Sequence, residues 1–100
     1  MKVYKIIFSE EANQDIQKLF DFIHLNYQAP LTAKKYINGL FSTFDLLSHS
    51  SHSYPIQQHK SFLKYGFDVR RASYKKMAII FTLHHNTVFI HRIIASAMVV

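Results

Sequence analysis

Histidines are the first residues in this sequence whose chemistry suggests a site. The chain has seven of them: His24, His49, His52, His59, His84, His85 and His91. His49 and His52 lie three apart, but no carboxylate is near them in the sequence, and a metal site needs further ligands. Adjacent His84 and His85 fall in an expected hairpin turn, where neighbouring side chains point in different directions. We therefore expect these histidines to be polar loop residues, and we expect no metal site.

Motifs for catalysis or cofactor binding have no better support. Serines cluster between residues 48 and 53, but no nucleophile elbow surrounds them. The chain has no cysteine, which excludes thiolate catalysis, disulfides and cysteine-ligated zinc. Gly39 and Gly66 are the two glycines, too few for a glycine-rich phosphate loop. The sequence therefore predicts no catalytic residue and no cofactor.

A basic cluster is the stronger chemical signal. Six cations lie between residues 60 and 76, interleaved with aromatic residues: Lys60, Lys64, Arg70, Arg71, Lys75 and Lys76. Residues 51–100 hold seven basic residues against Asp68 alone, whereas charges balance in residues 1–50, so the second half carries the whole net charge of +6. Such a field favours a polyanion or an acidic protein as partner. The alternative is a solvated basic face that only keeps the domain soluble.

Three predicted strands must position this cluster. Phe67–Tyr74 alternates with period two, and Met77–Leu83 and Val88–Ala95 are β-branched and aromatic runs separated by a polar break. The connections are too short for crossover helices, so these strands should form an antiparallel meander. The apolar run Val3–Phe8 predicts a further strand at the start of the chain.

Two amphipathic helices are predicted between the first strand and the meander. Ser9 is suited to cap the first helix and Thr32 the second, and Asp15 falls on the polar side of the first. The apolar stripe of the first helix is Ala12, Ile16, Leu19, Phe20, Ile23 and Tyr27. That of the second is Ala33, Tyr36, Ile37, Leu40, Phe41, Phe44 and Leu47. Gly39 in the second helix suggests close packing against the first.

The remaining segments complete a single domain spanning residues 1–100. Residues 48–59 form an irregular loop by composition, and residues 60–66 add a turn before the meander. The tail Ala95–Val100 is small and apolar apart from Ser96, so it should pack on the body or be covered by a partner. We predict an α+β fold in the order strand, helix, helix, strand, strand, strand. The two helices form an antiparallel hairpin packed on a mainly antiparallel four-stranded sheet.

The composition of the chain also bears on its cellular location and on contact with a membrane. No apolar run approaches the length of a membrane span. The absence of cysteine fits a reducing compartment. We therefore expect a cytoplasmic protein without a membrane partner.

Three segments together carry a resemblance to a known family. The first is Tyr4–Ala12, continued by Asp15-Ile16 and Phe22-Ile23; the second is Val69–Arg71 with Ala78–Phe81; the third is Val88–Ile94, with Arg92 at an arginine position. Their order and spacing resemble the ParE/RelE superfamily of bacterial toxins from type II toxin–antitoxin systems. The resemblance covers nearly the whole chain.

The departures from that pattern favour the ParE branch. RelE-like toxins cut mRNA on the ribosome with basic residues at positions that here read Val69, Arg71, Ala78 and Met98. Valine, alanine and methionine cannot activate a hydroxyl or stabilise a phosphorane. ParE-like toxins instead poison DNA gyrase by protein contact. The resemblance therefore implies growth arrest, neutralisation by an acidic cognate antitoxin that folds on binding, and nucleic acid contact only through the antitoxin or the target.

The site residues predicted for contact with antitoxin or target all carry or can carry positive charge. Arg70, Arg71 and Arg92 are expected to be rigid contact residues, and the others to steer the partner electrostatically: Lys60, Lys64, Lys75, Lys76 and His91. Two alternatives stay open. One is an mRNA interferase with Arg71, Lys75, Lys76, His91 and Arg92 in new roles. The other is an inactive relic, because Ala95 and Met98 stand where the family commonly has histidine and arginine.

Overall fold

The computed structural model describes residues 3–26 and 29–99, and its element order confirms the predicted fold class. The helices and strands are β1 (Lys5–Phe8), α1 (Glu10–Asn26), α2 (Pro30–Ser50), β2 (Arg70–Tyr74), β3 (Met77–His84) and β4 (Thr87–Ala95). Three short 3-10 helices lie at Ser51–Ser53, Lys60–Tyr65 and Ser96–Met98. The turn predicted for residues 60–66 is thus confirmed.

The sheet has the order β1-β4-β3-β2. The last three strands form the predicted antiparallel meander, whereas β1 pairs in parallel with β4, with Lys5 opposite Thr87 and Phe8 opposite Ile90. The parallel pair requires the chain to leave β1 and return on β4 in the same direction, and the two helices provide that crossover. Two strands are shorter than predicted, since β1 begins at Lys5 and β2 at Arg70.

The core lies mainly between one face of the sheet and the helix pair. Ile79, Phe81 and Ile90 of the sheet are fully buried there together with Leu40 and Leu47 of α2. The opposite face, called the outer face below, is partly covered by the 3-10 helix Lys60–Tyr65. Its smaller buried cluster consists of Phe62, Val69, Ala78 and Ile80. Burial on both faces explains why β3 is a continuous apolar run rather than an alternating one.

Helix α1 begins as predicted but buries one residue that the pattern placed in solvent. The Ser9 hydroxyl accepts a hydrogen bond from the Ala12 backbone N–H at 2.9 Å, so Ser9 is a true N-cap. The stripe residues Ala12, Leu19 and Ile23 are buried, and Tyr27 lies outside the described residues. The prediction that Asp15 faces solvent is wrong, because only 8% of it is exposed.

Helix α2 departs from the prediction at three points. Its N-cap is Ala29 without a side-chain cap, and Pro30 occupies the first turn, so Thr32 does not cap it. It runs on to Ser50, which places three residues of the predicted loop inside the helix. Gly39 packs against Tyr74 of β2 rather than against α1, because an added Cβ would overlap the Tyr74 hydroxyl and lie 2.9 Å from Cζ.

The tail beyond β4 packs in part on the body. Val99 is half-buried against the outer-face cluster, whereas 71% of Met98 is exposed; Val100 lies outside the described residues. Within the described ranges, neither α1 nor α2 has the combination of length and apolar composition that a bilayer-spanning helix requires.

Candidate functional site

The candidate site begins where β1 stops and β4 continues alone. The Ser9 N–H donates to the Ile90 carbonyl at 2.9 Å, and the Ser9 hydroxyl donates to the His91 carbonyl at 2.8 Å, which ends the parallel pairing. Beyond this point α1 runs beside β4 in place of a strand. The Asp15 carboxylate then accepts the Ile93 N–H at 2.9 Å, so a side chain satisfies a donor that would otherwise need a strand partner.

Asp15 also holds the side chain of Arg92. Arg92 Nε donates to Asp15 Oδ2 at 2.8 Å and Nη2 donates to Oδ1 at 3.1 Å, a bidentate pair. Glu11 lies further out, with its Oε2 3.6 Å from Arg92 Nη1. The hydrogen bond to Asp15 raises the pKa of Arg92 above its usual value, against the opposing effect of burial. Arg92 is therefore fixed and fully charged at the edge of β4.

A groove of about 730 Å³ opens beside this edge, between the helix pair and the C-terminal half of β4. Its wall residues come from α1, α2, the turn between β2 and β3, the start of β3, β4 and the tail. Apolar side chains form most of this lining: Leu19, Phe22, Ile23, Met77, Ile93, Ile94, Ala95 and Met98. Phe22 is 57% exposed, so the groove has a large apolar surface that is open to solvent.

Cations surround the apolar lining of the groove. Lys18, Lys75, Lys76 and Arg92 line it, and its one acid, Asp15, is already engaged by Arg92. The Lys75 ammonium lies 5.9 Å from the ring centroids of Tyr36 and Tyr74, which holds it near the groove. The groove therefore suits an apolar chain segment that carries negative charge.

The edge of β4 offers the groove backbone hydrogen-bonding groups as well. Peptide groups of a strand point alternately to its two neighbours. The Ser96 N–H donates to the Lys76 carbonyl at 2.8 Å, on the side away from the open edge. Ile93 directs its N–H to the open side, toward Asp15, and the alternation places the Ala95 N–H on that side too. An extended chain in the groove would thus meet a part of β4, beyond Ile90, that has no neighbouring strand on this side among the described residues.

The other predicted site residues do not join this groove. Arg70 turns inward: its Nη1 donates to the carbonyl of His52 at 3.0 Å and to that of Tyr54, which fastens the connection between α2 and β2. Arg71 is half-buried on β2, opposite Ile80 of the outer face, and its guanidinium has no hydrogen-bond partner within residues 3–26 and 29–99. Lys60 and Lys64 are exposed on the 3-10 helix that covers this face.

His91 belongs to a polar cluster on the outer face. The register shift between Ile80 and Phe81 leaves His91 as an extra residue on β4. Its Nε2 and the Nε2 of His84 each lie 2.8 Å from the buried Thr82 hydroxyl. Burial, together with nearby His84, lowers the pKa of His91, and Glu11 acts weakly in the opposite direction. His91 is therefore favoured in its neutral form.

The structure thus divides the predicted set of eight residues. It brings Arg92, Lys75 and Lys76 together and places His91, Arg71, Lys60 and Lys64 on or above the outer face, whereas Arg70 serves the fold. Sequence reasoning missed Asp15 and Lys18. A signal for Asp15 was present, because it lies three residues after buried Ala12 and four before buried Leu19.

Comparisons with known proteins agree with this architecture. A family model described as "ParE toxin of type II toxin-antitoxin system, parDE" matches residues 6–100. Among solved structures, the "Chromosomal ParDE TA system from P. aeruginosa" is similar with a TM-score of 0.71. The sequences are 14% identical over 93% of this chain and 96% of that one, a similarity of fold. No curated protein matches the sequence.

Proposed function

Because the chain belongs to the ParE toxin family of type II toxin–antitoxin systems, we propose that it arrests growth by binding a protein target, DNA gyrase. We further propose that a cognate antitoxin neutralises it by filling the groove beside β4. The groove is the observation that carries the proposal. It combines apolar walls, a cationic rim and a part of β4 that, in the described part of the chain, has no neighbouring strand on one side.

An acidic amphipathic segment matches each of these three features. Its apolar side chains would cover Phe22 and Met98, which are 57% and 71% exposed in the free chain. Its carboxylates would face Lys18, Lys75 and Lys76. Its backbone would add to the open edge of β4, the usual way in which an extended peptide gains affinity on a sheet. A segment that is disordered alone would fold as it binds.

Action by binding rather than by RNA cleavage is supported by the outer face. Two of the positions that hold basic catalytic residues in RelE-like toxins are Val69 and Ala78, which are 2% and 0% exposed. Such side chains are part of the buried cluster under the 3-10 helix Lys60–Tyr65, so they have neither the chemistry nor the access to serve a phosphodiester. A charged replacement there would have to be buried as well.

Induction of the gene in a bacterial host tests the proposal. We expect growth arrest with DNA breaks and intact mRNA, and rescue when the adjacent reading frame is expressed with it. Both translation and DNA damage should be measured after induction, since they separate the two kinds of toxin. Transcripts cleaved on ribosomes would show an mRNA interferase instead, and normal growth would show an inactive relic.

A further inference from the structure

The segment Gly66–Asp68 presents an aromatic side chain to solvent in a fixed position. Phe67 is 85% exposed, more than any other aromatic side chain described in residues 3–26 and 29–99. The residues on both sides of it have positive φ, +116° at Gly66 and +54° at Asp68. Glycine takes such angles freely, but aspartate does so at some cost, and strain of this kind is retained where the surroundings impose it.

The base of this segment is held on both sides. The Gly66 N–H donates to the Leu63 carbonyl at 3.0 Å and closes the 3-10 helix before it. After it, Val69 is buried, and its carbonyl accepts the Gln57 N–H at 2.8 Å. Ile56 forms an isolated bridge with Arg70 directly afterwards. An exposed side chain on a fixed backbone loses little entropy on binding, which is the property of an interface anchor.

The two segments that hold Phe67 in place, the preceding 3-10 helix and the segment bridged to Arg70, carry both apolar and basic side chains. Leu63 on the preceding 3-10 helix is 60% exposed, and Ile56, in the segment that bridges to β2, is 37% exposed. Lys60 and Lys64 of the same 3-10 helix are exposed cations. Aromatic anchors with apolar neighbours and charges around them are the composition of a protein-binding hot spot.

This surface is separate from the groove beside β4. None of Ile56, Leu63 and Phe67 lines the groove. Strand β2 lies between the two surfaces: Lys75 and Lys76, at its C-terminal end, belong to the groove, whereas Phe67 precedes its N-terminal end. Substitutions in the two surfaces can therefore be tested separately.

We propose that Phe67 is the anchor residue through which the toxin binds its protein target. Its ring would insert into an apolar pocket of a folded protein, and carboxylates would line the rim of that pocket. The carboxylates would face Lys60 and Lys64. This inference rests on the proposed function, since it assigns the target surface of the same toxin. It also assigns separate surfaces to the target and the antitoxin.

The substitution Phe67→Ser tests the assignment against Leu25→Ser, which removes a similarly exposed apolar side chain from α1 (81% exposed). Each variant is induced in the host, and the inducer concentration that halves growth is measured. The purified variants are compared with the wild type in urea unfolding and in affinity for the product of the adjacent reading frame. We expect Phe67→Ser to need at least about tenfold more toxin for arrest. Its affinity for that product and its unfolding midpoint should match the wild type, and Leu25→Ser should behave as the wild type throughout.

Other outcomes overturn the assignment. Full toxicity of Phe67→Ser, or equal loss in both variants, shows that Phe67 is not a specific anchor, while the proposed function stands. Loss of affinity for the adjacent gene product places Phe67 in the antitoxin interface instead. A wild-type protein that does not arrest growth removes the proposed function and this inference with it.

Discussion

At the scale of single residues, the Asp15 carboxylate accepts a backbone hydrogen bond from β4 that a neighbouring strand would otherwise accept. Its carboxylate accepts the Ile93 N–H and both donors of the Arg92 fork, in a site where 8% of Asp15 is exposed. A buried carboxylate is stable only when such donors surround it. Asp15 therefore fixes the position of α1 against β4 and sets the charge at the groove.

Asp15→Asn should lower the free energy of unfolding by about 1–3 kcal/mol, because an amide cannot replace the charge that two Arg92 donors require. The free energy is measured by urea unfolding. Asp21→Asn is the matched control, since Asp21 lies on the exposed side of α1 with only an exposed bond from Gln17. Equal losses in the two variants would contradict the role given to Asp15.

His91 should make stability depend on pH. The groups that surround it are the Thr82 hydroxyl, His84, the rings of Tyr65 and Phe89, and the more distant Glu11. The pKa of His91 is lowered in the fold, so below about pH 6.5 the unfolded chain binds the proton more readily than the folded one. A protonated His91 would also have to donate its Nε2 hydrogen to Thr82, so the Thr82 hydroxyl could no longer donate to that nitrogen.

We therefore expect the free energy of unfolding to be fully developed above pH 6.5 and to fall as the pH decreases below it. His91→Gln should reduce this slope, whereas His24→Gln, at an exposed position on α1, should leave it unchanged. Urea unfolding at several pH values between about 5 and 8 measures the slope. A slope that survives in His91→Gln would assign the dependence to other groups.

At the scale of elements, the contact between α2 and β2 is made by one rigid ring. The Tyr74 hydroxyl donates to the Tyr36 carbonyl of α2 at 2.7 Å, and its ring crosses the helix at Gly39. Burial of the hydroxyl raises the pKa of Tyr74. Glycine lowers helix propensity by about 1 kcal/mol relative to alanine, so its presence in the middle of α2 reflects the space that Tyr74 needs.

Gly39→Ala should consequently destabilise the fold by about 1–3 kcal/mol, although alanine is the better helix former. The same substitution in a Tyr74→Phe background should cost less, because the hydroxyl that overlaps the new Cβ is then absent. A double-mutant cycle from urea unfolding gives the coupling free energy. Zero coupling would place the effect of Gly39 elsewhere.

The order of the elements and their amphipathic faces were largely readable from the sequence, whereas their exact boundaries and the side-chain partnerships across elements were not. Ser9 could be identified as a cap because the cap and the helix it serves are adjacent in the chain. The prediction for Asp15 was wrong because the pattern of apolar and polar residues along a helix assigns every carboxylate to solvent. Its partners, Arg92 and Ile93, lie 77 and 78 residues further along the chain. Arg70 is predicted to be a rigid contact residue, and nothing local in the sequence indicates that its guanidinium binds the carbonyls of His52 and Tyr54.

At the scale of the whole molecule, the excess positive charge is spread over two surfaces. Lys75, Lys76 and Arg92 lie at the groove, with Lys18 added from the electrically balanced half of the chain. Lys60 and Lys64 lie on the 3-10 helix that precedes Phe67 in the chain. A net charge of +6 therefore accelerates association with acidic partners in general, and the apolar features beneath each set of cations decide which partner stays bound.

Reversal of two charges at the groove should separate the effect of the net charge from the effect of cations placed at the groove. Lys75→Glu with Lys76→Glu should weaken binding of the adjacent gene product by at least about tenfold, mainly through repulsion of its carboxylates. Lys34→Glu with Lys35→Glu makes the same change in net charge on exposed residues of α2 outside this groove and should have a much smaller effect. Affinities are measured by calorimetry at two salt concentrations. Equal weakening in the two variants would show that net charge alone matters.

The parallel pairing of β1 with β4 has a consequence for biosynthesis. Lys5–Phe8 leaves the ribosome early, but its hydrogen-bonding neighbour Thr87–Ile90 is translated some eighty residues later. Until then the β4 side of the groove is missing, and Arg92 is not available to pair with Asp15. A nascent chain therefore cannot form this groove before β4 has been translated.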